Sequence, residues 1–147
     1  LPFKLLSFSI RLESKSLTDI KGSKSIVCLK LESEESEIRQ AIDKFNFIWF
    51  PILKKEKLIG LASHYDIKKS LESENKFDLH QCVKTHYASI HPDQNLVIAL
   101  DRMKKFDISI LPVMSRYNNK SILGIITMSD IFDFFTIVKK NEEQITS

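Results

Sequence analysis

Glycine and proline are scarce in this chain, 3 and 4 in 147 residues, which excludes collagen-like and low-complexity linker classes. Cysteine is scarcer still. Cys28 and Cys82 are too few and too far apart for a disulfide framework or a thiolate metal site, so both are expected as buried thiols in a reducing compartment. No apolar run approaches the roughly 18 residues of a membrane-spanning helix; the stretch Phe47 to Leu53 is among the longest. Charge of one sign is also lacking: Lys and Arg number 22 against 19 Asp and Glu, a net charge of +3 spread in short alternating patches. There is no basic arm or recognition helix, and nucleic acid is not an expected partner.

Signatures of catalysis are missing too. His64, His80, His86 and His91 have no HxH or HExxH spacing, so no metal site is expected. Gly60-Leu61-Ala62-Ser63 lacks the glycine-serine-glycine form of a nucleophile elbow. Asp66 and Asp130 as a glycosidase pair would need a long substrate cleft that a chain of this size hardly provides. Neither G-x-G-x-x-G nor G-x-x-x-x-G-K-[ST] occurs, so phosphates would have to rely on scattered cations such as Lys84, His91 or Arg102. The expectation is a chain without catalytic activity.

What is present is an internal repeat. Ile108 to Val113, a polar turn at Arg116 to Lys120, Ile122 to Thr127 and a helix start at Ser129-Asp130-Ile131 follow the same order as Phe47 to Leu53, Lys54 to Lys57, Leu58 to Ser63 and Tyr65-Asp66-Ile67. The interval from Gly60 to Gly124 equals that from Asp66 to Asp130, while the interval from Pro51 to Pro112 is slightly shorter, the difference falling in the hairpin turn. A helical stripe precedes each hairpin: Ile38, Ala41, Ile42 and Phe45 in one half, Leu96, Ala99, Leu100 and Met103 in the other. Short strands at Ser25 to Leu31 and Ala88 to His91 open the halves. Asp93 is the expected cap of the second stripe. The last helix would present Ile131, Phe134, Phe135 and Val138 on one face. Each half therefore reads strand, helix, strand, strand, helix, an α/β (α+β) chain of two β-α-β-β-α units packed as a pseudo-twofold pair. Such units are marginal alone and need a shared interface.

Both hairpins end in a hydroxyl followed three positions on by a carboxylate: Ser63 with Asp66, and Thr127 with Asp130. That spacing is a capping box. It also suits the two hydroxyls of a ribose, and the two readings are compatible. A base would need flat apolar surroundings and backbone polar groups, offered by Ile110 and Leu111 in the second half and by Trp49 and Phe50 in the first. Trp49 reads equally as core packing. The interval from Ala41 to Pro51 is shorter than that from Ala99 to Pro112, which suggests a shortened connection and an encumbered cleft in the first half.

The pattern resembles a tandem pair of cystathionine-beta-synthase-type (CBS) domains over about residues 17 to 137. The resemblance is carried by His91-Pro92-Asp93, Ala99-Leu100, Ile108-Ser109-Ile110-Leu111-Pro112-Val113 and Gly124-Ile125-Ile126-Thr127-Met128-Ser129-Asp130-Ile131, and more weakly by Phe50-Pro51-Ile52 and Gly60 to Ile67. It implies a regulatory module with no required cofactor, whose clefts hold AMP, ADP, ATP or S-adenosylmethionine, with ATP, ADP or AMP the expected regulatory ligand. By the same resemblance Thr127 and Asp130 are the ribose-binding residues, with Ser63 and Asp66 as their partners in the other cleft; with Ile110 and Leu111 beside the base, these are the expected binding residues. The stretch Leu111 to Thr127, with its long turn, is similar to the cytoplasmic CBS region of chloride channel and transporter proteins. The resemblance then implies a homodimer attached to a membrane channel or transporter, on the cytoplasmic side; the alternative is a ligand-free dimerisation or gating module of a channel, transporter or enzyme. The expected layout is a leading segment at 1–16, a first repeat at 17–72, an inter-repeat linker at 73–86, a second repeat at 87–138 and a polar tail at 139–147. Leu1-Pro2-Phe3-Lys4 is no signal peptide and reads as part of a longer protein, or as a chain that has lost its initiator Met.

Overall fold

A computed structural model of the chain describes residues 27–118, 121–133, 140, 143 and 144. The leading segment 1–16, the opening of the first repeat and Phe134, Phe135 and Val138 lie outside the described residues, as does most of the polar tail. The described chain divides into two compact units: 27–87 with 115–118, 121 and 122, and 88–114 with the residues from 123 onward.

The first unit contains β1 (Leu29–Lys30), α1 (Glu35–Lys44), β2 (Trp49–Lys54), β3 (Lys57–Ser63), α2 (His64–Glu72) and the short α3 (Leu79–Cys82). On α1, Ile38 and Ile42 fall one turn apart and are buried, while Glu35 and Glu37 in the first turn and Lys44 in the last complement the helix dipole. β2 pairs parallel with β1 and antiparallel with β3, giving the order β1-β2-β3. Leu29, Phe50, Ile52 and Ala62 pack with Ile38, Ile42, Ile67 and Leu71 in one core. The β2–β3 turn uses Lys55 and Glu56 in the left-handed region, at φ 48° and 65°, where Asn-Gly is the usual choice. Glu32 accepts from the Lys55 N–H at 2.7 Å, and Lys30 bonds Glu56 at 2.7 Å, so neighbouring side chains hold the turn.

The second unit contains α4 (Leu96–Phe106), β4 (Ile110–Met114), β5 (Ile122–Thr127) and a helical segment at 128–133. β4 and β5 form a two-stranded sheet. Leu111, Val113 and Ile126 pack against Leu96, Ala99, Met103 and Ile131. The cap of α4 is Asn95, whose side chain accepts from the Ile98 N–H at 3.0 Å. Asp93, the expected cap, sits instead in the turn closed by the Gln94 N–H to His91 O bond, just ahead of the cap.

The repeat extends to individual hydrogen bonds. Leu29 pairs with Ile52 and Ile90 with Val113, both in parallel, and the offset between the two pairs is the one that separates Pro51 from Pro112. The His64 N–H donates to Ile48 O and the Met128 N–H to Ser109 O, each at 2.8 Å. In this register Ala99 corresponds to Ile38, not Ala41, and the interval from Ile38 to Pro51 equals that from Ala99 to Pro112. The first connection is therefore not shortened. Matching Ala41 to Ala99 sets the two helices one turn out of register.

Proline explains a second departure. The sequence suggests a strand from Ala88 to His91, but Ile90 alone pairs, donating to Pro112 O at 3.0 Å and accepting from the Met114 N–H at 2.8 Å. The rung before it would need an N–H at residue 112 and the rung after it one at residue 92, and both are prolines. In the first unit Leu31 supplies the later rung, its N–H donating to Leu53 O at 2.8 Å. In the second unit the His91 ring does so, with Nδ1–H donating to Met114 O at 2.9 Å.

The stretch 73–86 includes α3 and an edge pairing in which Lys84 and Leu61 exchange backbone bonds of 2.7 and 3.1 Å. Gly60 lies under that crossing. A Cβ there would collide with Lys84 O and lie 2.6 Å from Val83 Cγ1. Gly60→Ala should therefore destabilise the chain by about 1–3 kcal/mol, read as a lower urea midpoint, because backbone has to shift to admit one methyl group.

Candidate functional site

Two strand-to-helix corners carry the site residues, one in each unit. At the second, the Asp130 N–H donates to Thr127 Oγ1 at 3.0 Å and the Thr127 N–H donates to Asp130 Oδ2 at 2.8 Å. This is a complete capping box. At the first, Ser63 accepts from the Asp66 N–H at 3.0 Å, without the reciprocal bond to the carboxylate. All four residues are half-buried. The bond from each helix start to Ile48 O or Ser109 O sets the first residue of β2 or β4 beside its corner.

Alternation along the strands decides which neighbour faces the corner. Leu111 is fully buried in the core with Val113 and Ile126, so it points away from the face that bears Thr127. Ile110 shares the face of Thr127. The side chains of Ile110 and Leu111 cannot both flank one ring, and Leu111 has only its backbone to offer. The first unit repeats this arrangement: Phe50 is fully buried in the core, whereas Trp49 is the direct cross-strand partner of Ser63. Trp49 thus occupies the position of Ile110.

The three cations considered for phosphate are engaged elsewhere. Lys84 Nζ lies 4.9 Å from the centroid of the Trp49 ring. Arg102 donates to Ser89 O and to Gln94 Oε1. His91 completes the parallel ladder at Met114, about 13 Å of strand rise from Ile110. Sequence reasoning missed this role; the paired prolines 92 and 112 were its signal. Only a shallow depression lies at that far end, lined by Ile90, His91, Pro92, Gln94, Ala99 and Ile126 among others, and it includes none of the six expected binding residues.

The thiols are unsuited to nucleophilic work. Burial, with the Glu56 carboxylate adding to it, pushes Cys28 up to about 11, and burial also raises Cys82. Cys28 is half-buried rather than fully enclosed. Among the described residues no group of three or more His, Cys, Asp or Glu is placed to hold a metal ion. No helix among them is long and apolar enough to cross a membrane.

With the corners described, comparison with known proteins gives the class. Residues 79–136 match the CBS domain family. The CBS domain of a transporter candidate from Clostridium difficile 630 superposes with a TM-score of 0.68 at 21% identity, covering 86% of this chain and 97% of that one. The CBS domain pair of protein MJ0100, solved in complex with 5′-methylthioadenosine and S-adenosyl-L-methionine, gives 0.63 at 26% identity over 82% of this chain and 99% of that one. Over 100 residues the chain is 29% identical to L-aspartate semialdehyde sulfurtransferase of Methanocaldococcus jannaschii, covering 67% of this chain. It spans between 15% and 26% of the length of the curated relatives it matches. The chain has a tandem CBS-domain fold, the Bateman module, made of two β-α-β-β-α repeats. CBS domains are non-catalytic regulatory units, and residues 79–136 match that family.

The capping box makes a stability prediction. Thr127→Ala should cost about 1 kcal/mol and Thr127→Ser much less, measured by urea denaturation, since serine keeps the acceptor for the Asp130 N–H.

Proposed function

We propose that this chain is a regulatory module that binds the adenosine moiety of ATP, ADP or AMP at the corner formed by Thr127 and Asp130, beside Ile110. The observation that carries the reading is a hydroxyl and a carboxylate held 2.8–3.0 Å from each other's backbone N–H at a helix start, on the strand face that Ile110 shares. A carboxylate accepts from both hydroxyls of a ribose diol and repels phosphate, so the phosphates extend away from Asp130. The adenosyl ligands of the MJ0100 pair support the choice of ligand class.

The module acts within a larger protein as a homodimer. A membrane channel or transporter with the module on its cytoplasmic side is supported by the resemblance of the long β4–β5 turn. An enzyme carrier is supported by the sulfurtransferase relative. In titration calorimetry of the chain with ATP, ADP, AMP and S-adenosylmethionine, at least one should bind. Asp130→Asn keeps an acceptor for the Thr127 N–H, and it should weaken binding about tenfold or more while leaving the melting temperature nearly unchanged. Absence of heat at millimolar ligand would refute the proposal.

One observation favours a second reading, a ligand-free dimerisation or gating module: Thr127 and Asp130 already satisfy each other through the capping box. That reading expects dimers in sedimentation equilibrium and no response to any of the four ligands.

A further inference from the structure

The two corners are homologous but not equivalent. Trp49 stands where the second repeat has Ile110, immediately after the carbonyl that receives the helix-start N–H. As the cross-strand partner of Ser63, it sets an indole on the face a base would use. The Lys84 ammonium lies over the same indole, 4.9 Å from the ring centroid. Lys84 is an exposed lysine, but its backbone is fixed by both bonds to Leu61 over the space that Gly60 leaves open. Its side chain therefore starts from a set position beside the tryptophan. An electron-rich indole face holds a cation well, and a neutral purine has to displace that cation to stack there.

We propose that the Trp49–Lys84 pair closes the first corner, so that of the two homologous corners only the one at Thr127 and Asp130 takes a nucleoside. Trp49 and Lys84 then set the stoichiometry of the module. The inference rests on the nucleoside reading of the second corner given above. It makes the first repeat a structural partner whose strand-to-helix junction is filled by its own side chains.

Trp49 is the only tryptophan in the chain, so its fluorescence reports this corner alone. The 147-residue chain is titrated with ATP and with S-adenosylmethionine, following heat and tryptophan emission together. The expected result is one ligand per chain with Trp49 emission unchanged. The double variant Trp49→Ile, Lys84→Ala reproduces the Ile110 arrangement and should bind two. Two ligands per native chain, saturable quenching of Trp49, or a double variant that still binds one would each overturn the proposal. Should neither ligand bind at all, the nucleoside reading fails and closure is read separately by acrylamide quenching. Lys84→Ala should then raise the quenching constant about twofold, and an unchanged constant would overturn closure as well.

Discussion

A single backbone hydrogen bond, repeated once in each half, organises both corners. The first N–H of the helix that follows the hairpin, at His64 or Met128, donates to the carbonyl just before the hairpin's first strand, at Ile48 or Ser109. A helix start leaves its leading N–H groups without intrahelical partners, and leaving a buried one unmade costs about 1–3 kcal/mol. Sending that donor to Ile48 O or Ser109 O fixes where the helix begins relative to the strand. The capping hydroxyl, the acidic residue three positions on and the first residue of the strand are then neighbours by construction. The placement of these three groups at each corner follows from this tie.

The repeat was legible because each anchor residue answers a constraint that recurs in both halves. Pro51 returns as Pro112 at one offset, and Gly60 and Asp66 return as Gly124 and Asp130 at a slightly longer one. The structure keeps both offsets, the shorter in its parallel pairing and the longer in its helix-start donors. Helix alignment was less legible. An apolar stripe at i, i+3, i+4 and i+7 looks much the same when shifted by one turn, so the pattern alone matches Ala41 rather than Ile38 to Ala99. Only strand pairing, a non-local fact, settles the register. The cap of α4 was misplaced for a related reason: Asp93 and Asn95 both suit a cap, and the turn from His91 to Gln94 decides between them.

The site was half legible. Ser63 with Asp66 and Thr127 with Asp130 are local patterns, and a local pattern survives folding when a helix begins where it is expected to. Adjacent residues in a strand are different. Ile110 and Leu111, or Trp49 and Phe50, are neighbours in sequence and opposites in space, so naming both as lining residues ignores the period-two alternation of the strand. Burial resolves the choice: Leu111 and Phe50 are fully enclosed in their cores. The cations fared worse, since Lys84, Arg102 and His91 are placed by contacts distant in sequence.

His91 shows how two copies of one unit can keep a fold while diverging in chemistry. The carbonyl at the end of the hairpin's first strand needs a donor in both halves. Leu31 meets that need with its backbone, but Pro92 stands at the matching position and has no N–H, so the preceding histidine bonds Met114 O through its ring. A backbone donor is open to every residue but proline; a ring donor is not. The second half has thereby committed a side chain to its scaffold, where the first half has committed Trp49 and Lys84 to its corner. Scaffold bonds and corner contacts thus compete for the same few polar side chains. A residue used on the ladder in one copy is withheld from a ligand there, which is why a role cannot be transferred from one repeat to the other by alignment alone.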